Sequence, residues 1–130
     1  MAVRPARHFK ELIVWQLGDE LRGEIFRLTK QRPLHADLKL RSQLDDAVDS
    51  VCRNIAEGFG CGDREFARFL RIARRSLNEV QDELHSALLK AHITEADVVP
   101  ARKLMRRLYP ALSSLIRHLD RRRPGDFNAK

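Results

Sequence analysis

Apolar residues recur at helical spacing through almost the whole chain, in four stretches that turn signals separate. The first stretch is interrupted at Pro33, because proline lacks the N–H group that a continuing helix needs. This pattern predicts a first helix over about residues 10–31. Its apolar stripe consists of Val14, Leu17, Leu21, Ile25 and Leu28.

A second apolar stripe ends in a turn with three glycines, which can adopt the positive φ angles that terminate helices. The second helix is therefore predicted over about residues 38–58. Asp63 is the expected N-cap of the third and longest helix, over about residues 63–91.

Thr94, with Asp97 three residues later, can cap a fourth helix over about residues 95–122. Pro100 and Pro110 fall within or near this segment, so we expect a late start, a kink at residue 110, or both. Residues 124–130 should form a loose tail.

Four amphipathic helices with short connections and no strand pattern predict an all-α fold, an antiparallel up-down-up-down four-helix bundle. A chain of 130 residues fits one domain, residues 1–130. The net charge of +7 and the pI near 10.1 make a polyanion such as nucleic acid the first partner to consider. The sequence shows neither a signal peptide nor an apolar run of roughly 18 residues, which predicts a cytoplasmic protein with no membrane partner.

Four arginines of the third predicted helix share one outward stripe: Arg64, Arg68, Arg71 and Arg75. Guanidinium groups match phosphate oxygens, so this stripe could follow a nucleic-acid backbone without reading bases. The alternatives are a solvated face, or one that pairs with acids of another subunit. Further candidates for phosphate contact are Arg106, Arg121 and Arg122, although the dipole of the fourth helix also explains cations at its end.

Acidic residues of the second predicted helix lie away from its apolar stripe, at Asp45, Asp46 and Asp49. An acidic patch on one helix and an arginine stripe on another suit a head-to-tail contact between identical subunits, which can close into a ring. The same acids form the DDxxD spacing by which helical prenyl-transfer enzymes hold magnesium diphosphate. That enzyme class is the least favoured alternative, because no second carboxylate cluster faces these acids.

Two aromatic residues of the first predicted helix, Trp15 and Phe26, lie off its main stripe with Arg22 between them. Exposed aromatics and arginine are typical of subunit interfaces, but a wide core face could equally bury them. Glu57 lies near the negative end of the second helix dipole. We expect a structural or interfacial role for it, paired with Arg53, Arg64 or Arg68, while Asn54 bonds the carbonyls of the glycine turn.

Residues for chemistry are not arranged as an active site. No glutamate is followed three residues later by histidine, as di-iron bundles require. Cys52 and Cys61 lack zinc spacing, and we expect both thiols to be free. We therefore predict a non-enzymatic protein with no catalytic residue, no metal and no cofactor.

A set of short motifs resembles the four-helix-bundle proteins that are encoded in intervening sequences of bacterial 23S ribosomal RNA. The resemblance covers roughly residues 9–120, and the run Asn54-Ile55-Ala56-Glu57-Gly58-Phe59 is the most specific to it. The other matching positions are Phe9, Leu12 to Gln16, Pro33, Ser42 to Leu44, Glu65, Phe66, Phe69, Leu70, Ile72, Ala73, Ser76, Leu77 and Glu79.

This resemblance implies a cytosolic, non-enzymatic bundle that assembles with itself, as a pentameric ring. The family is linked to the accessory variability proteins of diversity-generating retroelements, which are basic rings that bind nucleic acid and a reverse transcriptase. This chain departs from the family at Asp45 and Asp46, where arginines are usual, and at Arg75, where a small residue is usual.

The leading hypothesis is thus a basic, homo-oligomeric adaptor for RNA or DNA that contacts the phosphate backbone. The alternative is a protein-interaction scaffold whose charged faces serve self-assembly or bind another protein. Affinity for nucleic acid that falls steeply with salt would distinguish the first from the second.

Overall fold

The computed structural model describes residues 5–122, which form four α-helices and no β-strand. The helices are α1 (Ile13–Thr29), α2 (Leu38–Gly58), α3 (Asp63–Leu89) and α4 (Glu95–Arg121). Two short 3₁₀ turns, Phe9–Glu11 and Leu34–Ala36, precede α1 and α2. The all-α four-helix bundle is confirmed, whereas the predicted loose tail, residues 124–130, lies outside the described residues.

α1 is shorter than the sequence predicted. Leu12 is extended, with ψ 132°, and separates the 3₁₀ turn Phe9–Glu11 from a helix that begins only at Ile13. At the other end the helix stops at Thr29, two residues before the predicted end. α2 begins and ends as predicted, and its N-cap Asp37 accepts a hydrogen bond from the backbone N–H of Leu40.

The glycine turn ends α2 as its composition predicted, and Gly60 adopts φ 90°. The prediction that Asp63 caps α3 was wrong: Gly62 is the N-cap, and Asp63 is the first helical residue. A carboxylate there still benefits from the positive end of the helix dipole.

α4 begins where its capping signal predicted. The Thr94 side chain accepts from the backbone N–H of Asp97, and the Asp97 carboxylate accepts from that of Thr94. The helix continues without a break through Pro100 and Pro110, so the predicted late start was wrong. Each proline removes one backbone hydrogen bond from the helix. The capping box at the start of α4 and the burial of its apolar side against the core outweigh this loss.

Side chains from all four helices and from the turn before α2 form one apolar cluster. Each fully buried leucine or isoleucine contributes about 1.5–3 kcal/mol relative to an exposed position. The largest of these side chains are Leu21, Ile25, Leu28, Leu34, Leu44, Ile55, Leu70, Leu77, Leu108 and Leu112.

Candidate functional site

The four arginines predicted to share one stripe of α3 do lie on its outward side. Arg64, Arg68 and Arg75 are exposed, and Arg71 keeps 42% of its side chain exposed. Intervals of three or four residues place them beside one another along the helix. Neither Arg64 nor Arg75 has a hydrogen-bond or ion-pair partner within residues 5–122.

The guanidinium of Arg68 is already paired. Its Nε donates to Glu65 at 2.6 Å, and the group lies 4.7 Å from the centre of the Phe69 ring. The hydrogen bond lowers the pKa of Glu65 below its ordinary value. Because both side chains are about half exposed, the pair contributes little stability and can be exchanged for another anion.

Two α3 arginines reach across to α4. Arg71 donates to Asp120, and Arg74 Nη1 donates to Ser113 Oγ at 3.1 Å. Arg106 lies seven residues before Ser113, and therefore on the same side of α4. These contacts join the arginine stripes of the two helices into one surface, the basic face. Its members are Arg64, Arg68, Arg71, Arg74 and Arg75 of α3 with Arg102 and Arg106 of α4.

Two predicted contact residues lie at the end of α4. Arg121 is exposed, whereas the Arg122 side chain keeps only 26% exposure. Arg122 Nε lies 2.9 Å from Asp63 Oδ2, at ion-pair distance but without the directionality of a hydrogen bond. Arg122 therefore joins the end of α4 to the start of α3.

A cavity of about 490 Å³ opens between α3 and α4. Its apolar part consists of Leu84, Met105 and Pro110, and the ring of Tyr109 forms part of its wall. Its polar part consists of Gln81, His85, Arg102 and Arg106.

The acids of α2 do not form the free patch that the sequence suggested. Asp45 accepts a hydrogen bond of 2.8 Å from Thr29 Oγ1, and burial raises its pKa above the ordinary value despite that bond. Asp49 lies 3.4 Å from Arg22 Nη1. Of the three acids only Asp46 is exposed without a partner in the described residues.

Arg22, a predicted interface residue, has two partners within its own chain. Its Nη2 donates to Asp19 at 2.7 Å, and its Nη1 contacts Asp49, so it connects α1 to α2. Trp15 and Phe26 are half-buried and pack against the apolar cluster, and the Trp15 ring lies 5.3 Å from that of Phe9. Both rings are therefore partly buried against the core.

Glu57 is exposed, and its carboxylate has no hydrogen-bond or ion-pair partner within the described residues. The predicted pairing with Arg53, Arg64 or Arg68 was wrong, because Arg68 pairs with Glu65, which lies on its own helix. Water can solvate an exposed carboxylate, so the helix dipole alone does not force a pairing.

Asn54 also differs from its predicted role. It is buried, and its Nδ2 donates to the backbone carbonyl and the hydroxyl of Ser50, at 2.8 and 3.0 Å. Ser50 Oγ lies 2.8 Å from Ser76 Oγ of α3. The Asn54 side chain therefore bonds within its own helix and does not reach the glycine turn, while Ser50 makes the contact between α2 and α3.

No group of three or more His, Cys, Asp or Glu side chains in the described part of the chain could hold a metal ion. Cys52 and Cys61 are both free, as expected. Burial raises the pKa of the Cys52 thiol to about 11, which makes it a poor nucleophile.

Sequence reasoning missed Arg74 and Tyr109. Arg74 was passed over because it lies off the narrow arc of the other arginines, yet its length lets it reach α4. Arg102, Arg106, Tyr109 and Ser113 are spaced by four, three and four residues along one side of α4, and this period could have indicated the surface.

None of the helices within residues 5–122 has the length and apolarity of a membrane span. A comparison with curated protein sequences gives no match. The family described as 23S rRNA-intervening sequence protein matches residues 10–114, which is most of the chain and includes the motifs of α2 and α3 described above. The chain therefore belongs to the 23S rRNA-intervening sequence protein family.

Proposed function

We propose that this protein is a non-enzymatic, basic adaptor that binds the phosphate backbone of RNA or DNA in the cytoplasm. The observation that carries the proposal is the basic face, to which α3 and α4 both contribute arginines. Arg64, Arg75 and Arg106 are exposed there without partners in the described residues, so their guanidinium groups are available to phosphate oxygens.

The paired arginines of the basic face support the same function. The pairs Arg68–Glu65 and Arg71–Asp120 are formed by side chains at least 42% exposed. Such exposed pairs contribute little to stability, so a phosphate can replace the carboxylate at little cost. Before binding, they hold the guanidinium groups at the surface.

We also propose an antiparallel up-down-up-down bundle that assembles into a homo-oligomeric, pentameric ring. The order of contacts supports the antiparallel arrangement. Thr29 near the end of α1 contacts Asp45 of α2, whereas the earlier residue Arg22 contacts the later residue Asp49. The two helices therefore run in opposite directions. The ring and its number of subunits come from the likeness to the retroelement accessory proteins.

In that assembly, Asp46 and Glu57 are the predicted interface acids that are free to pair with arginines of a neighbouring subunit. Both are exposed and have no partner among the described residues. Trp15, Phe26, Arg22, Asp45 and Asp49 remain in the proposed interface through their partly exposed surfaces.

A protein-interaction scaffold is the second candidate, and exposed apolar side chains favour it. Leu38 is 64% exposed at the start of α2, and Leu89 is 74% exposed at the end of α3. Ile13 is 61% exposed at the start of α1. Apolar groups of this size are common at contact surfaces between proteins.

Charge reversal can separate the two candidates. The double variant Arg64→Glu/Arg75→Glu changes two unpaired arginines of the basic face, and Lys30→Glu/Arg32→Glu makes the same change in charge in the connection after α1. Binding of a mixed-sequence oligonucleotide is measured between about 50 and 200 mM salt, with the mass of the protein in solution recorded in parallel.

If the basic face binds phosphate, the first variant loses most of its affinity and keeps its mass. Its dependence of log K on log salt should flatten by about one unit for each arginine. Equal losses of affinity in both variants would show that only the net charge of the protein matters, and not the basic face. A wild-type protein that binds neither RNA nor DNA would overturn the adaptor function and leave the scaffold.

A further inference from the structure

The cavity between α3 and α4 combines an apolar floor with a cationic rim. Leu84 and Met105 lie at its floor and are only 3% and 4% exposed, while Tyr109 is 37% exposed. Arg102 and Arg106 line it from α4 and His85 from α3. Its volume of about 490 Å³ falls within the range of about 300–1,000 Å³ in which proteins hold small organic groups.

We propose that this cavity receives one unstacked base of a single-stranded nucleic acid, whose flanking phosphates contact Arg106 and Arg102. The inference rests on the proposed function and deepens it, because it predicts a preference for single strands over duplexes. A base paired inside a duplex has both faces stacked and cannot enter such a cavity.

The aromatic and apolar side chains of the cavity can contact the inserted base. Tyr109 offers a partly exposed ring, on which a base of any sequence can stack through its π-face. Met105 and Leu84 offer apolar contact to the inserted base, and Gln81 offers an amide that can donate to or accept from its polar edge. Stacking of this kind is tolerant of sequence, which suits a protein that reads the backbone.

The arginine side chains of the cavity can contact the phosphates. Arg106 is exposed and has no partner within residues 5–122, and the exposed His85 ring adds a hydrogen-bonding group. Arg102 is held by Glu95, whose side chain is 74% exposed, and such a pair gives way readily to a phosphate. No carboxylate of the described residues lines the cavity, and the unpaired Arg106 makes the field at its mouth favourable for an anion.

The test compares a fluorescent single-stranded oligonucleotide with the duplex of the same sequence, on the full-length protein at one salt concentration. Tyr109→Ala removes the stacking ring, and Tyr109→Phe retains it. Arg106→Gln removes a charge at the cavity, and Arg107→Gln removes the same charge one residue along, outside the lining. A strand that carries abasic sites reports the contribution of the bases.

We expect Tyr109→Ala to weaken single-strand binding about 10-fold and to leave duplex binding unchanged, and Tyr109→Phe to bind like the wild type. The abasic strand should bind the wild type more weakly, and Tyr109→Ala should no longer discriminate against it. Arg106→Gln should lower the ratio of single-strand to duplex affinity, whereas Arg107→Gln should leave that ratio unchanged.

If Tyr109→Ala changed the affinities for single strands and duplexes equally, or changed neither, the result would overturn the base-binding cavity. The adaptor function would still stand if the protein bound duplexes in a salt-sensitive way. A protein that binds neither form would overturn both proposals. Wild-type affinity that is the same for the abasic and the intact strand would also overturn the cavity's role.

Discussion

Gly58 of α2 approaches Phe69 of α3 so closely that a Cβ atom on the glycine would lie 2.6 Å from the Phe69 Cβ and 3.0 Å from Phe66 Cδ1. The glycine is buried, and its backbone packs against the two phenylalanine side chains. α2 and α3 can therefore meet closely just before the glycine turn. This contact gives a physical reason for the glycine in the run Asn54 to Phe59, which carried the family resemblance.

A methyl group added at Gly58 tests this contact. Gly58→Ala should destabilise the protein by about 1–3 kcal/mol, because the added methyl group overpacks the junction of α2 and α3. Gly23→Ala is the matched control: Gly23 is exposed within α1, and nothing lies within 4 Å of its added methyl. It should stabilise the protein by about 0.5–1 kcal/mol. Urea unfolding measures both changes, and similar stabilities for the two variants would contradict the close approach.

The hydroxyl contact between α2 and α3 supplies a second prediction. Ser50 Oγ and Ser76 Oγ lie 2.8 Å apart, and Ser76 is only 5% exposed. Ser50→Ala and Ser76→Ala should each lower the free energy of unfolding, and the double variant should cost less than their sum. We expect a coupling of about 0.5–1.5 kcal/mol in a double-mutant cycle. Strict additivity would mean that the hydroxyls do not interact.

The ends of helices could be predicted well where residues close in sequence determine them. The Thr94 and Asp97 capping box located the start of α4, and the glycines located the end of α2, because these signals act within one turn. The start of α1 was predicted too early because residues 9–11 continue the helical pattern but form a 3₁₀ turn.

The ionic partners could not be predicted in the same way. A helical phase says which side of a helix a residue occupies, but not which long side chain from a neighbouring helix reaches it. The pair of Arg68 with Glu65 lies within α3 and follows from the spacing of three residues. Arg74, in contrast, crosses to Ser113 of α4 although it lay off the predicted stripe. Such choices depend on distances between helices, which arise only after packing.

Asp37 predicts an acid-sensitive contribution to stability. Its carboxylate contacts Lys90 Nζ at 3.1 Å and His92 Nε2 at 3.0 Å, and it caps α2 at the N–H of Leu40. The hydrogen bond from Lys90, followed by those from Leu40 and His92, lowers the pKa of Asp37 from 3.8 to about 2.

A lowered carboxyl pKa stabilises the folded protein above pH 3.8, and that contribution is lost as the pH falls towards about 2. Asp37→Asn keeps a capping side chain but removes the charge. Its free energy of unfolding should therefore fall less than that of the wild type between about pH 4 and pH 2. Parallel pH profiles from urea unfolding would show that Asp37 is not the group responsible.

The two thiols should differ in reactivity. Cys52 is buried and its pKa is raised to about 11, whereas Cys61 is exposed in the glycine turn. At mildly alkaline pH one thiol per chain should react rapidly with a disulfide reagent, and the second should react only in denaturant. Cys61→Ser should abolish the rapid phase. A rapid phase that survived this substitution would show that the protein around Cys52 opens readily.

If the basic face binds phosphate as proposed, Asp120 must compete with it for Arg71. The Asp120 carboxylate pairs with Arg71 of the basic face, so a bound phosphate would have to displace it. Asp120→Asn removes that competitor and one negative charge, and it should raise affinity several-fold at low salt. Asp82→Asn is the control, because Asp82 is an exposed acid of α3 with no partner in the described residues.

Both variants remove one negative charge, so the difference between their gains in affinity measures the contribution of the freed Arg71. Stability should change by less than about 1 kcal/mol in both, since the pair of Arg71 and Asp120 is largely exposed. The gain should shrink as salt increases, because the added contact releases counterions. Equal gains in the two variants would place Arg71 outside the nucleic-acid contact and leave Arg64, Arg75 and Arg106 to make it.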